Sequence, residues 1–440
     1  MAEAIIRTFN TEEKNFSQTL KNLLDTAEVG GIDSEVARQV AEIISDVRQN
    51  GDKAVLHYSA KFDGNKAEKL SELQVKQADL IAAWNNLDTN NQRALQIAHR
   101  NVVEYGEKQK LSSWSYQRPD GSKLAQKITA LDSAGIYVPG GKASYPSSVI
   151  MNAAAAQVAG VKRIVMTVPA PNDELNPLVL AAAHLCGVTE VWKIGGAQAV
   201  AALAYGTETI AAVDKITGPG NRFVAEAKRQ VFGKVGIDMV AGPSEVVIIA
   251  DKTAIPEFIA ADLFAQAEHD EMAQSILLCD SAEIAEKVSA AVAKMLPNQP
   301  RKEIIEKSLR TRGAIIICRD IADAVEIANY IAPEHLELMT ENAPELVAQI
   351  RHSGAIFVGS YSNEVFGDYC AGTNHVLPTS RTARFASGLG VCDFQKRSSI
   401  LELSPAAAKE LSPVADLLAQ GEGLHAHALS ARLRGSASNK

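Results

Sequence analysis

Residues 163–206 read RIVMTVPAPNDELNPLVLAAAHLCGVTEVWKIGGAQAVAALAYG, and their alternation decides the fold class. RIVMTV is a short apolar run stopped by prolines, PLVLAAAHLCG has the length and composition of a helix, EVWKIGG is a second short run ending in glycines, and AQAVAALAYG is helical again. Such strand–helix repeats predict parallel strands, because a parallel pair needs a crossover connection and a helix supplies it. The pattern continues both ways. Upstream, ITALDSAGIYVPGG reads as strand and glycine turn, and SSVIMNAAAAQVAG as helix. Downstream, VDKITGPGN reads as strand and loop, RFVAEAKRQVFG as helix and IDMVAG as strand.

A second series follows: strands in SEVVIIAD, SILLC, AIIIC and AIFVGS, with helices in IPEFIAADLFAQAEHD, SAEIAEKVSAAVAKML, IADAVEIANYIA and APELVAQIRHSG. Two successive series predict two α/β domains facing a shared cleft, although no strong residue-level repeat links them. Before them, residues 1–31 read as a small N-terminal arm. Val36, Val40, Ile43, Ile44 and Val47 then mark a helix, with Asp33 as its cap and Gly51 as its stop. A second long helical pattern runs through about 76–108, and the tail from about 390 ends in the helices PAAAKELSPVADLLAQ and HAHALSARLRG.

A chain of 440 residues exceeds one ordinary core. Its net charge of -8, with Lys and Arg scattered, lacks the basic footprint of a nucleic-acid binder. MAEAIIRTFNTEEKNF is no signal sequence, and no apolar run reaches the ~20 residues of a membrane helix, so a soluble cytoplasmic protein is the expectation. Cys186, Cys279, Cys318, Cys370 and Cys392 form no CxxC pair, which argues against a disulfide framework or a cysteine zinc site.

Three sets of residues could carry chemistry. The glycine turns GIYVPGG, KIGGAQA and GPGNRF follow strands, where a backbone can approach a phosphate. No G-x-G-x-x-G is present, since Phe223 takes the third place in GPGNRF, and the same turns also serve as plain connections. Gln266 and His269 lie three apart in QAEHD, and Asp368 lies in FGDYCAGTNHVLP, a small-residue loop after a strand; these residues suit a divalent ion, or they cap a helix and a turn. In YIAPEHLELM (330–339) a proline breaks a helix just before Glu334 and His335. The pair suits proton transfer, and equally a cap beside a core histidine.

Taken together, GIYVPGG, IGGAQAVAALAYGT, DKITGPGN, AGPSEV, QAEHD, APEHLE, GDYCAGTNHVLPT and a late Glu-x-x-x-x-His resemble the histidinol dehydrogenase family, from about residue 30 to about 435. The resemblance implies two incomplete Rossmann-like α/β domains, parallel sheets flanked by helices, with a small N-terminal arm and a helical C-terminal segment. It places the arm at 1–31, a discontinuous first domain at 32–136 and 246–388, the second domain at 137–245 and the C-terminal segment at 389–440. It implies a homodimer using zinc, one ion per subunit, and NAD, which oxidises L-histidinol through L-histidinaldehyde to L-histidine with two hydride transfers. Carried over residue by residue, Gln266, His269, Asp368 and His427 hold zinc, His427 being chosen over His425 by its spacing from Glu422. Ser244 and Glu422 contact substrate, together with the zinc-site residues and His335. Tyr137, Gln198 and Asn221 contact NAD. His335 serves as base in both oxidations, and Glu334 activates water between them. Glu422 and His427 act in the partner's site. A zinc hydrolase without nucleotide, and thioester chemistry through Cys370, are the competing readings.

Overall fold

The computed structural model describes residues 5–25, 34–140 and 145–436. The chain opens with β1 (Arg7–Asn10) and α1 (Phe16–Asp25), then α2 (Ser34–Asp63), β2 (Gln74–Val75), α3 (Gln77–Asn86) and α4 (Thr89–Gln109). A hairpin, β3 (Trp114–Gln117) and β4 (Lys123–Ala130), leads to the first alternating series. That series is β5 (Ser133–Tyr137), α5 (Pro146–Ala159), β6 (Arg163–Thr167), α6 (Pro177–Leu185), β7 (Glu190–Trp192), α7 (Gly196–Tyr205), β8 (Lys215–Thr217), α8 (Arg222–Val231) and β9 (Gly236–Ile237). The second is β10 (Glu245–Ala250), α9 (Pro256–Ala267), β11 (Gln274–Cys279), α10 (Ala282–Met295), α11 (Lys302–Arg312), β12 (Ala314–Ile317), α12 (Ile321–Ile331), β13 (His335–Met339), α13 (Ala343–Leu346) and β14 (Ala355–Val358). α14 (Glu364–Tyr369), β15 (Gln395–Glu402), α15 (Pro405–Gly421) and α16 (His425–Gly435) complete the chain.

The two series build two sheets of one design. The first has the order β2-β7-β6-β5-β8-β9 and the second β1-β12-β11-β10-β13-β14. Numbered within each series, both read 3-2-1-4-5 with one added edge strand. The neighbours are parallel except β2 against β7. This is the open doubly wound arrangement lacking a sixth strand, so the two α/β domains expected from the sequence are present. β15 pairs with β4 and β4 with β3 in a third, antiparallel sheet.

The domain boundaries expected from the sequence need redrawing. Residues 34–109 do not join the β10 sheet. Val36, Val40 and Val47 of α2 pack with Val200 and Leu203 of α7, and Leu80, Leu95 and Val102 pack with α5 and α6, all on the β5 sheet. The arm, in turn, belongs to the other domain: β1 pairs with β12, and Phe16, Leu20, Leu23 and Leu24 pack among Val247, Ile316 and Leu336. An apolar stripe shows that a helix packs, but not on which sheet. Smaller differences have local causes. α2 continues to Asp63 through a kink at Gly51, whose φ of 51° and ψ of -126° lie outside helical geometry. The 76–108 pattern splits at Asp88, which accepts from the Asn90 and Asn91 N–H groups and starts a new helix. The expected Asp33 cap lies outside the described residues.

Only residues 238–244 separate β9 from β10. The chain leaves the β5 sheet at a carboxyl edge and enters the β10 sheet at an amino edge, so this short connection sets those two edges face to face. The arm's place in a core makes a test. Leu20→Ala should lower unfolding stability by about 2–5 kcal/mol in urea titrations, as for a buried leucine; a change within about 0.5 kcal/mol would mean a loosely attached arm.

Candidate active site

A cavity of about 360 Å³ lies where the two edges meet. From the β5 sheet it is lined by Gly218, Gly220 and Asn221, in the turn after β8, and by Pro139, after β5. β5 and β8 are the neighbours where the strand order reverses, the usual ligand crevice of such sheets. From the β10 sheet come Ser244, Gln266, His269, Glu334, His335 and Asp368. The structure therefore gathers Asn221, Ser244, Gln266, His269, Glu334, His335 and Asp368 at one cavity, from positions far apart in the sequence.

Pro333 and the strand after it place the central pair. Ala332 closes α12 in the left-handed conformation, with φ 52°, and His335 opens β13 in register with Val246 and Ala355. Glu334 thus leads into a strand and not into a further turn. His335 Nδ1 lies 3.0 Å from the Glu245 carbonyl oxygen, which fixes the proton on Nδ1 and leaves Nε2 as the free nitrogen. Nε2 is buried, has no hydrogen-bond partner and lies 3.4 Å from Asp368 Oδ1.

The surrounding carboxylates are held by backbone N–H groups. Glu334 Oε2 accepts from the Glu245 N–H at 3.0 Å, Glu245 Oε1 from Ser380 at 3.0 Å, and Glu337 Oε1 from Glu364 at 2.9 Å. Burial pushes Glu334 up to about 7, and burial with repulsion from Glu334 pushes Glu245 up to about 8. Burial also holds Glu364 well above its ordinary value. For His335, burial opposes protonation, but Glu334, Asp368 and Glu364 together outweigh it and hold its pKa well above normal. Asp368 is lowered in spite of its burial, chiefly by the His335 ring 3.4 Å away.

Gln266 lies in the last turn of α9, and His269 follows the helix end. With its amide nitrogen 2.8 Å from Glu364 Oε2, Gln266 turns its oxygen to the Glu245 N–H at 3.3 Å. His269 Nδ1 lies 3.3 Å from the Gln266 backbone oxygen, so this histidine caps the helix and still offers Nε2 to the cavity. Asp368 sits on the short helix α14, where a loop was expected. Asn221 caps α8, accepting from the Phe223 and Val224 N–H groups.

Other expected residues stand apart. Tyr137 is buried at the end of β5, its hydroxyl accepting from the Gly196 N–H at 3.1 Å, and Gln198 is buried with both amide atoms unpartnered. Both lie at the same carboxyl edge without lining the cavity. Glu422 and His427 are exposed on the C-terminal helices, as is His425, and none reaches the cavity of its own chain. Cys370 packs against the β5-sheet core and does not line the cavity, which removes the footing of thioester chemistry. Sequence reasoning assigned no role to Glu245, Glu364 or His375. His375 is half-buried, lines the cavity and has a buried, unpartnered Nε2; burial lowers its pKa. Its presence in TNHVLPT was the one available signal.

Among the described residues, no three His, Cys, Asp or Glu side chains gather closely enough to hold a metal ion, and no helix is long and apolar enough to cross a membrane. A family model described as histidinol dehydrogenase matches residues 30–435. A histidinol dehydrogenase of Neisseria meningitidis serogroup A is 56% identical over 431 residues, covering 98% of this chain and all of its own. That of Cupriavidus pinatubonensis is 54% identical over 438 residues, covering 99% of this chain and 98% of its own. The crystal structure of histidinol dehydrogenase from Elizabethkingia anophelis superposes with a TM-score of 0.92 at 33% identity, covering 99% of each chain.

Beneath the cavity, Glu337 donates a hydrogen bond to Asp262, and burial together with the Asp262 charge raises its pKa well above 4.5. An acid raised on folding contributes stability that is full below its unfolded pKa and is lost as pH rises toward the folded one. Glu337→Gln keeps a donor toward Asp262 at every pH. Thermal melts should show the wild type losing stability, as pH rises above the ordinary glutamate range, by about 1–3 kcal/mol more than the variant. Parallel profiles would contradict the shared proton.

Proposed function

Because the chain belongs to the histidinol dehydrogenase family, an oxidoreductase family of histidine biosynthesis, we propose that its cavity oxidises L-histidinol to L-histidine through the aldehyde, reducing one NAD in each step. The observation that carries this reading is the meeting of His335 Nε2, beside Asp368, with the glycine turn and α8 N-terminus at Asn221. One wall offers a proton acceptor, and the other is the kind of crevice that takes a dinucleotide.

Gln266, His269 and Asp368 fit a zinc ion as an amide oxygen, a neutral nitrogen and a carboxylate on one cavity wall. The fourth ligand in this reading, His427, comes from a second copy. Of the four ligands in this reading, one chain brings Gln266, His269 and Asp368 to the cavity. The ion would supply a fixed hold on the imidazole and amine of histidinol, so that the carbinol carbon faces the nicotinamide. Asp368 as a ligand would leave His335 Nε2, which has no hydrogen-bond partner, to accept the carbinol proton as the first hydride leaves. The Glu245 carbonyl keeps Nδ1 protonated throughout. Glu334, raised to about 7, takes a proton from water as it adds to the aldehyde. His335 then accepts the hydroxyl proton of the hydrate as the second hydride leaves.

The dinucleotide belongs to the β5 sheet in this reading. Its carboxyl edge carries the glycine turns and the N-termini of α7 and α8, which favour phosphate. The carboxyl edge of the β10 sheet carries Asp251, Asp280 and Asp320, which repel it. The homodimer has its own support. Leu417, Leu418 and Leu433 on the C-terminal helices are 73%, 65% and 61% exposed, an apolar face that a second copy would cover while bringing Glu422 and His427 to the partner's cavity.

Absorbance near 340 nm with histidinol, NAD and zinc-loaded protein tests the activity, and no NADH would refute it. His335→Ala should lower kcat by about 10²–10⁴-fold while metal analysis finds the zinc retained; equal loss of metal would make His335 a ligand and not a base. Mixing inactive His427→Ala and inactive His335→Ala chains should restore activity in heterodimers. If subunit exchange is demonstrated and activity stays absent, each site is built within one chain.

A further inference from the structure

Successive residues of one loop hold the segments that carry Glu334 and His335. Thr379 Oγ1 accepts from the Gly242 N–H at 2.6 Å, and Gly242 lies in the connection between the two sheets. The Ser380 N–H donates to Glu245 Oε1 at 3.0 Å, at the first residue of β10. Arg381 Nη2 donates to the Tyr330 carbonyl oxygen at 3.0 Å, and its guanidinium carbon stands 4.6 Å from the centre of the Tyr330 ring. Arg384 adds a longer bond, 3.4 Å, to the same oxygen. Tyr330 lies in the last turn of α12, just before Ala332, Pro333 and Glu334. The loop thus braces the entry to β10 and the exit from α12 together.

Its backbone is strained where it makes these contacts. Ser380 and Arg381 have φ of 52° and 68°, the left-handed region that residues with a Cβ rarely adopt. Such residues persist where their surroundings hold them in place, and they gather at functional sites. Glu245 is the point that the brace reaches. Its side chain is 3% exposed, and its Oε2 is buried without a partner, which leaves the Ser380 N–H as its anchor. Glu245 stands one residue ahead of the register pair Val246 and His335, so its backbone groups lie at the end of the ladder, where side chains can use them. Its N–H donates to Glu334 Oε2 and its carbonyl oxygen meets His335 Nδ1, each at 3.0 Å. Any shift of this one residue therefore moves both members of the pair. Glu245, Ser380 and Arg381 do not line the cavity, so they act on it only through others.

We propose that Glu245 is a positioning residue for the reaction: its side chain, anchored on the Ser380–Arg381 loop, fixes the backbone groups that aim Glu334 and His335 at the substrate. Because the same loop grips Gly242, the pair is set relative to the connection as well as to its own strand. This inference rests on the reading of Glu334 and His335 as the proton-transfer pair.

The test compares turnover, substrate binding, metal content and melting temperature in the zinc-loaded protein. Glu245→Ala should lower kcat by about 10–100-fold, the scale of a small misplacement of reacting groups, while KM for histidinol and zinc content change by less than about threefold. Glu245→Gln keeps an oxygen for the Ser380 N–H and should recover most of that loss. The double variant Arg381→Ala with Arg384→Ala, which frees Tyr330, should lower kcat in the same way. A role in stability alone would lower the melting temperature and leave the kcat of folded Glu245→Ala unchanged, which overturns the proposal. So does a loss of zinc that matches the loss of kcat, or a Glu245→Gln no more active than Glu245→Ala. If Glu245→Ala does not fold, the double variant decides, and an unchanged kcat there overturns the proposal. His335→Ala separates the two levels. Full activity in that variant would remove the reading on which the inference rests; loss of activity there, with kcat kept in the Glu245 variants, removes the brace alone.

Discussion

The connection at 238–244 is the constraint on which the site depends. β9 ends at a carboxyl edge, β10 begins at an amino edge, and so short a link cannot carry the chain around either sheet. It is also clamped. Asp238 forms a buried ion pair with Lys228, and its Oδ2 accepts from the Gly218 N–H at 2.8 Å while Lys228 Nζ donates to the Gly218 oxygen at 2.9 Å. Gly218 is thus gripped through both its N–H and its carbonyl by charge-assisted hydrogen bonds, and the start of the connection is fixed to α8 by the same pair. A buried pair of this kind adds little net stability, but losing one partner leaves a charge in the core. Its evident role is to fix the turn and the connection relative to each other, and with them the two walls of the cavity.

The edges that meet differ in what their backbones offer. The amino end of β10 presents the Glu245 N–H, which carries the Glu334 carboxylate, and the loop N–H of Ser380 carries that of Glu245. Acids can therefore crowd around His335 without being wholly unsatisfied, although their raised pKa values record the remaining cost of burial. The opposite wall has the reverse character, with helix N-termini and glycine turns and little acid. A substrate bearing cationic and metal-binding nitrogens fits the first wall, and a diphosphate fits the second. Electrostatics thus divides one cavity between two very different ligands.

Much of this was legible in the sequence where period and punctuation speak for themselves. The strand–helix alternation gave both sheets, and Pro333 with its neighbours gave the central pair. The motifs singled out Gln266, His269 and Asp368, and all three line the cavity. Two kinds of fact were not legible. Which sheet receives an element depends on chain path, so α2 to α4, expected with the β10 sheet, pack on the β5 sheet, and the N-terminal arm, read as separate, joins the β10 sheet. Residues that act by burial leave little local trace: Glu364 reads as an ordinary acid in a loop, and only its closeness to Gln266 and His335 gives it meaning. The C-terminal helices mark a third limit, since their exposed leucines show an apolar face with no partner in the chain to explain it.

The shared 3-2-1-4-5 order makes the contrast between the sheets instructive. Two copies of a nucleotide-binding topology would be expected to offer two crevices at carboxyl edges. Under the proposed function only the β5 sheet keeps that use. Gly218, with φ 109° and a virtual Cβ 2.1 Å from the Tyr137 oxygen, could be no other residue, because two strand ends pack backbone to backbone there. In the β10 sheet the equivalent edge has Asp251 after the first strand and Arg319 and Asp320 after the third, with no such close approach, and its chemistry has moved to the opposite edge. The connection explains why. With the carboxyl edge of one sheet held against the amino edge of the next, residues at the far carboxyl edge cannot reach the cofactor, whereas those at the amino edge are brought to it by the chain path itself.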